Sequence, residues 1–314
     1  MMLTYRARLR LSGSIVGKIQ SDTLFGGLCW AYHDTVDEAS FQALLTECIA
    51  GKPPFVVSDP FPGDLLPTPF LPPVSSVSPA AGKEELLAAA KQAKKLKDIQ
   101  WLTQDEFRAM LSGKPLAAKR KPAVSITRMT LHNTINRETG TTVLDGGGLY
   151  DLPESYYQAE YLSVYVRVKQ GWEESLRQCF AHFGKIGFGG KRSIGKGGFD
   201  LIDFEPFSAF AVSAESDNAF VSLSHFVPAE NDPVEGCYKT MVKYPRLDRE
   251  HAQGQNLFKH PLVLLTPGSV FRTGSSPKPY YGKAIQGIAP GFAAAIQGAF
   301  AFAVPFQWMM EESP

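Results

Sequence analysis

The sequence predicts an α+β fold made of two ferredoxin-like (RRM-like) units, on three observations. Two stretches, 3–11 and 157–168, alternate apolar and polar residues with period two, the mark of strands with one buried face. A helical pattern follows each of them, at 21–30 and 172–183, and a further apolar strand pattern closes the first unit at 199–204. Short β-like runs at 207–213, 219–226, 262–266 and 300–306 then supply a second unit. Four strands and two helices per unit fit these lengths. The first domain spans 1–205, with an insertion at about 59–150, and the second spans 206–314.

In chain order, Leu3, Tyr5, Ala7, Leu9 and Leu11 form the buried face of the first strand, and Arg6, Arg8 and Arg10 lie on the other. Those arginines read equally as a solvated edge or as a rim close to a polyanion. Ser21-Asp22 offers an N-cap for the first helix, which carries Leu24, Phe25, Leu28, Cys29 and Trp30. Gly26-Gly27 sits inside it, where each glycine costs about 1 kcal/mol relative to alanine, so something must pack closely there. A second helix covers 36–50 and stops at Gly51.

A proline-rich, irregular segment fills 53–79, with a short extended piece at 55–57. Helices are expected at 83–99 and near 104–111. From 83 to 121 ten Lys or Arg face five Asp or Glu, which suits a solvated insertion or a basic arm. Residues 123–136 look extended, Gly146-Gly147-Gly148 turns the chain, and Leu149-Tyr150 begins a return, giving a long hairpin. From 199 to 238 there are eight acids and no Lys or Arg, which we read as a face for a protein partner.

Composition bounds the function. The chain has 314 residues and a formal net charge of +1, so overall charge identifies no partner. No run approaches the roughly 18 apolar residues of a membrane span. Cys29, Cys48, Cys179 and Cys237 are scattered without a CxxC, which fits a reduced, cytoplasmic protein. No His or acid set has metal-ligand spacing, and neither a metal nor a cofactor is expected.

The richest motif is 184–199, GKIGFGGKRSIGKGGF, in which seven of sixteen residues are glycine and four are Lys or Arg. A Walker A loop requires Ser or Thr after Gly-Lys and runs from strand to helix. Here Arg192 follows Gly190-Lys191, Gly197 follows Gly195-Lys196, and the element order is reversed. A dinucleotide GxGxxG fails as well, since Arg192 stands where the third glycine belongs. What remains is a backbone cradle for an anion, made by amides and interleaved cations. Its candidate residues are Gly189, Gly190, Lys191, Arg192, Ser193 and Lys196. Lys18, Gln20 and Ser21 sit at a helix N-terminus, where amides and dipole favour a phosphate. The polar cluster at 128–140 adds Arg128, His132, Asn133, Asn136 and Arg137. Arg forks phosphate and stacks on bases, Asn reads a base edge, and His132 is the single candidate for general acid–base cleavage of RNA.

Taken together, GKIQSDTLFGGLCWAY (17–32), RMTLHNTINRETGTT (128–142) and GFGGKRSIGKGGF (187–199) resemble the RAMP proteins of CRISPR effector complexes. More narrowly they are similar to the fourth Csm-type subunit of type III-A systems, and the similarity extends into PLVLLTPGSVF and YGKAIQGI. The resemblance implies a subunit that binds the 5′ repeat-derived handle of the crRNA. It implies two protein partners, the large polymerase/cyclase subunit and a backbone RAMP subunit. It also implies a β-hairpin thumb, here 123–150, that meets target RNA near the start of the guide, and no catalysis by this subunit. The alternative is a RAMP endoribonuclease that processes precursor crRNA with His132 as general acid/base. The insertion at 59–121 has no counterpart in the resemblance.

Overall fold

The structure, a computed structural model, describes residues 1–72, 98–114, 124–142, 148–210, 215–247, 258–290, 292 and 294–308. Strand β1 (Met2–Leu11) leads to helices α1 (Ser21–His33) and α2 (Glu38–Ile49), then to β2 (Phe55–Val57), β3 (Phe61–Pro62) and β4 (Leu66–Pro67). β5 (Trp101–Leu102) and α3 (Gln104–Leu111) precede a hairpin of β6 (Ser125–Asn133) and β7 (Leu149–Tyr157). β8 (Leu162–Lys169), α4 (Glu173–Ile186) and β9 (Phe199–Pro206) follow. The remaining strands are β10 (Ala219–Ser222), β11 (Gly236–Cys237), β12 (Thr240–Lys243), β13 (Leu262–Leu265), β14 (Val270–Arg272), β15 (Tyr280–Ile285) and β16 (Gln297–Phe306).

This is a mixed α/β architecture built on two antiparallel sheets. The first has the order β2-β8-β1-β9, with β3 also paired to β8. The second runs β11-β14-β10-β16-β15. Every strand of the first sheet precedes residue 207 and every strand of the second follows 218. The buried core nevertheless runs on from one to the other. Phe25 of α1 touches Phe55 at 4.9 Å and Phe300 at 5.5 Å, so one helix covers parts of both sheets. Arg167, fully buried on β8, donates to Thr4 Oγ1 and to the Ala303 carbonyl and lies over Phe302, pinning the sheets together; burial pulls its pKa down to about 10.

Several expectations meet their physical cause here. A Cβ on Gly27 would stand 2.1 Å from the Phe183 ring, so the glycine lets α4 close on α1. α2 starts at the Asp37 cap, whose carboxylate accepts from Ser40 N at 2.7 Å. The alternating strand expected at 157–168 is two elements: Tyr157 ends β7, and β8 is buried on both faces because it lies inside the first sheet. The run at 207–213 is not a strand over its described part; Phe207 and Phe210 instead turn inward onto Tyr165. Among the described residues the second half holds no α-helix, contrary to the two expected. Its closely spaced Pro and Gly, such as Pro277, Pro279, Gly282, Gly287 and Pro290, interrupt any helical register. The helix expected at 83–99 and the turn at Gly146-Gly147 lie outside the described residues, save for 98–99, which is not helical. No described helix is long and apolar enough to cross a membrane.

The polar face of β1 settles between its two readings. Arg10 pairs with Asp200, Arg8 with Asp203 and Asp64, and Arg6 with Asp64 and Glu205. The polyanion beside β1 is therefore this chain's own β9 strand together with Asp64. The same register corrects the acidic 199–238 segment: three of its eight acids are spent on β1.

Candidate nucleic-acid interface

The glycine-rich loop leaves α4 at Gly187 and reaches β9 through a short 3-10 turn, Arg192–Ile194. Lys191 sits in the left-handed region (φ 61°), as do Gly189, Gly195 and Gly197. Two glycines are there for close approach: a Cβ on Gly189 would stand 2.4 Å from the Val16 carbonyl, and one on Gly197 2.0 Å from that of Phe188. The loop packs on the 12–16 segment, with Gly190 N donating to Val16 O at 3.0 Å and Gly197 N to Ser14 O at 2.9 Å. Phe188 N, Ile194 N and Gly195 N also donate to carbonyls of the loop itself. Much of the expected amide cradle is thus turned inward, and what the loop presents outward is side-chain charge.

Glu154 of β7 ties the loop to the hairpin. Its side chain has no exposed surface, and it accepts from Lys196 Nζ at 2.8 Å, Ser14 Oγ at 2.6 Å and Tyr156 OH at 3.0 Å. His132 Nε2 lies 3.4 Å from its other oxygen. These bonds, that from Lys196 foremost, hold the carboxyl down at about 2. Beside it, Lys191 Nζ donates to Tyr150 OH at 2.8 Å, and Tyr150 stacks on His132 with centroids 5.7 Å apart. The loop and the paired arms of the hairpin, from Glu154 to Tyr150, therefore form one hydrogen-bonded unit.

On its other side the loop borders a groove of about 1120 Å3. It is lined by Gly189, Gly190, Lys191, Arg192 and Ser193 of the loop, by residues of α1 and α2, and by Lys243, Pro245, Arg246, Leu247 and Lys259 of the second half. Lys243 Nζ donates to both carboxylate oxygens of buried Asp22 at 2.7 Å and to Thr23 Oγ1. Gln297 bridges Asp22 to Lys259. Among the described residues, five Lys or Arg line this groove, against Asp22 and Glu38.

The sequence-predicted residues distribute unevenly over this geometry. Lys191, Lys196 and His132 come together around Tyr150 and Glu154, whereas Gly189, Gly190, Arg192 and Ser193 line the groove. Lys18 is exposed, whereas Gln20 and Ser21 are buried, at 4% and 2% exposure. The α1 N-terminus already holds an anion: Asp59 accepts from Ser21 N at 2.9 Å, and from the backbone N and Nδ1 of His225. Ser21 Oγ is committed to His225 as well, donating to its carbonyl. Gln20 and Ser21 are thus structural in this fold, because a buried carboxylate satisfies the helix end that a phosphate was expected to fill.

Arg128 is exposed and lies over the Tyr156 ring. Asn133, Asn136 and Arg137 stand toward the hairpin tip. There Asn136 accepts from Glu138 N, and Asn133 donates to Thr142 Oγ1, so part of their bonding capacity shapes the turn. The hairpin arms are longer than the 123–150 expected, since β7 runs to Tyr157. Pro153 is tolerated within it because, among the described residues, no second strand pairs along the outer edge of β7, which carries a single bridge from Ser155 to Ile15. Sequence reasoning missed Ser14, Tyr150, Glu154, Lys243, Arg246 and Lys259. For the last three a signal existed, the basic run Lys239, Lys243, Arg246, Arg249 and Lys259 that directly follows the acidic stretch.

No protein-family model matches the chain, and no curated protein does. Solved structures do. A chain in the crystal structure of a Csm1–Csm4 cassette in complex with pppApA superposes with a TM-score of 0.60 at 16% identity, over 99% of each chain. A chain in the same cassette in complex with AMPPNP gives 0.62 at 15%, again over 99% of each. A chain in the Csm3–Csm4 subcomplex of the type III-A CRISPR-Cas interference complex gives 0.64 at 11%, over 98% of this chain and 99% of that one. At such identities the likeness is one of fold, and it runs from end to end.

Proposed function

We propose that this chain is a Csm4-type RAMP subunit. In this reading it is a non-catalytic RNA-binding scaffold of a type III-A CRISPR interference complex. It holds the 5′ handle of crRNA and links the large polymerase/cyclase subunit to a backbone RAMP subunit. One observation carries the proposal: chains of matching length and fold occur in two kinds of assembly, Csm1–Csm4 and Csm3–Csm4, whose names share only Csm4.

The geometry supports the RNA-binding part. A groove bordered by cations of the glycine loop and of the second half suits a single-stranded backbone. The hairpin rooted at Glu154 projects from the same loop and suits a thumb that meets target RNA near the guide start. The ferredoxin-like reading is proposed in full for the first half, where β1-α1-β2-β8-α4-β9 gives the order β9-β1-β8-β2 of a split βαβ sheet. The second half is proposed as a strand-rich counterpart that borrows α1 as cover.

The test is fluorescence anisotropy of the purified protein with handle RNA and with a scrambled RNA of equal length. Preferential binding of the handle, weakening steeply with salt, is expected. Equal affinity for both RNAs would remove the handle assignment.

A second reading has one observation in its favour: Glu154 orients the His132 ring, a pairing invisible in the sequence. In an RNA-cleaving reaction His132 would accept a 2′-hydroxyl proton as that oxygen attacks the adjacent phosphate, releasing a 5′-hydroxyl and leaving a 2′,3′-cyclic phosphate. Repeat RNA incubated in chelator decides between the readings. Intact RNA supports the scaffold, and cyclic-phosphate products lost in His132→Ala support the nuclease.

A further inference from the structure

The ribbon of β12 and β13 is inverted relative to an ordinary half-buried strand pair. With period two, Val242, Tyr244 and Arg246 share one face, opposite Met241 and Lys243. The register sets Val242 against Val263, and the continuing bridge sets Arg246 against Phe258. The apolar and aromatic members of this face point to solvent, with Tyr244 66%, Phe258 54%, Val242 54% and Val263 59% exposed. The charged member of the other face turns inward, where Lys243 holds Asp22. Lys259 N fastens the ribbon's continuation to Pro245 O at 2.9 Å. The rings are thus displayed by a backbone fixed to α1 and to the second half.

Arg246 joins this face to the groove. It lines the groove with Lys191 and Arg192, and its guanidinium lies 4.9 Å from the centre of the Phe258 ring. A planar cation already stacked on an aromatic ring, beside a second exposed ring and a cation-lined channel, presents flat π surface next to positive charge. The ligand chemistry that answers both is an unpaired nucleotide, whose base stacks while its phosphate meets the channel. An apolar protein segment would match the rings but would leave the arginine and the cationic rim without a counterpart.

We propose that Tyr244, Arg246 and Phe258 form a base-stacking platform that takes an unpaired nucleotide of single-stranded RNA leaving the groove. The proposal rests on the RNA-binding reading above and adds to it a site in the second half, distant in sequence from the glycine loop.

The test uses anisotropy with a fluorescein-labelled single-stranded RNA carrying the repeat-derived handle, and with the same RNA made fully double-stranded. The proteins are wild type, Tyr244→Leu and Phe258→Leu, which keep apolar bulk and remove the ring at exposed positions, with melting curves run alongside. We expect each variant to lose about 5- to 150-fold in single-strand affinity with an unchanged salt slope, and to bind the duplex as the wild type does. A scan of abasic sites along the RNA should find a position that weakens the wild type and no longer matters to Tyr244→Leu. Wild-type affinity in both ring variants, with the wild type binding RNA, overturns the platform and leaves the RNA reading standing. Failure of the wild type to bind any RNA overturns both. Unchanged RNA affinity together with lost co-purification of a co-expressed partner subunit would assign the ring face to a protein contact and likewise overturn the proposal.

Discussion

On the open face of β1, Arg6, Arg8 and Arg10 meet Asp64, Asp200, Asp203 and Glu205, at least one carboxylate for each guanidinium. Around the groove, five lining Lys or Arg share Asp22 and Glu38 among the described residues. Both surfaces are legible in the sequence as clustered cations, and they differ in what the fold sets opposite them. At β1 the antiparallel register with β9 brings an acid to each arginine. At the groove, cations arrive from the glycine loop and from Lys243, Arg246 and Lys259, and among the described residues the acids that line it are Asp22 and Glu38. A polyanion can gain contacts at the second surface without displacing a row of internal ion pairs, whereas at the first it must compete with carboxylates already in place.

This contrast predicts effects of decreasing size. Lys191→Ala with Arg192→Ala should cost about tenfold or more in RNA affinity and lower the log–log salt slope by about 1.4, as for two phosphates on a single strand. An unchanged affinity across a salt titration would break the contrast at its stronger end.

Glu154→Gln acts at the boundary between the two cases, since it releases Lys196 from its internal partner. The salt slope should steepen by about 0.7 as one further cation becomes available to phosphate. The same variant carries a pH signature. The Glu154 carboxyl is held at about 2, below its ordinary 4.5, so it contributes stability that is fully present above 4.5 and lost as pH falls through about 2. Between those values the wild type should lose more melting temperature than Glu154→Gln; parallel curves would contradict the Lys196–Glu154 pairing.

Asp203→Asn with Glu205→Gln should leave Arg6 and Arg8 sharing Asp64 alone and raise binding of unrelated RNA by a few-fold at low salt, an effect that added salt abolishes. Smallest of all, Arg10→Ala should leave RNA affinity unchanged and shift stability by less than about 1 kcal/mol, because its pair with Asp200 is exposed.

What the sequence disclosed and concealed follows the same physical line. β1, α1, α2 and the glycine loop were readable because periodicity and glycine clusters are local. The Ser21-Asp22 cap expected for α1 does not form: the N-cap is Gln20, without a side-chain cap bond, and Ser21 and Asp22 lie inside the helix. Gly27 even announced its close neighbour, though not that it is Phe183. Pairings across long separations were not readable. Asp59 fills the α1 N-terminus jointly with His225, 166 residues away, and that withdrew Gln20 and Ser21 from the candidate interface. Glu154 meets Ser14 across 140 residues, and it reads in sequence as an ordinary strand acid. The groove lining from the second half was half-visible as a basic run, eclipsed by the cation-free segment just before it.

The most direct test of the central claim is ultraviolet crosslinking of labelled handle RNA to the purified chain, with the attachment points mapped to peptides. Crosslinks within 187–199 and 239–260 are predicted, since Lys191 and Arg192 of the first segment and Lys243, Arg246 and Lys259 of the second line the groove. Crosslinks concentrated on 2–11 and 199–206 would place the RNA on the self-neutralised face and contradict the account.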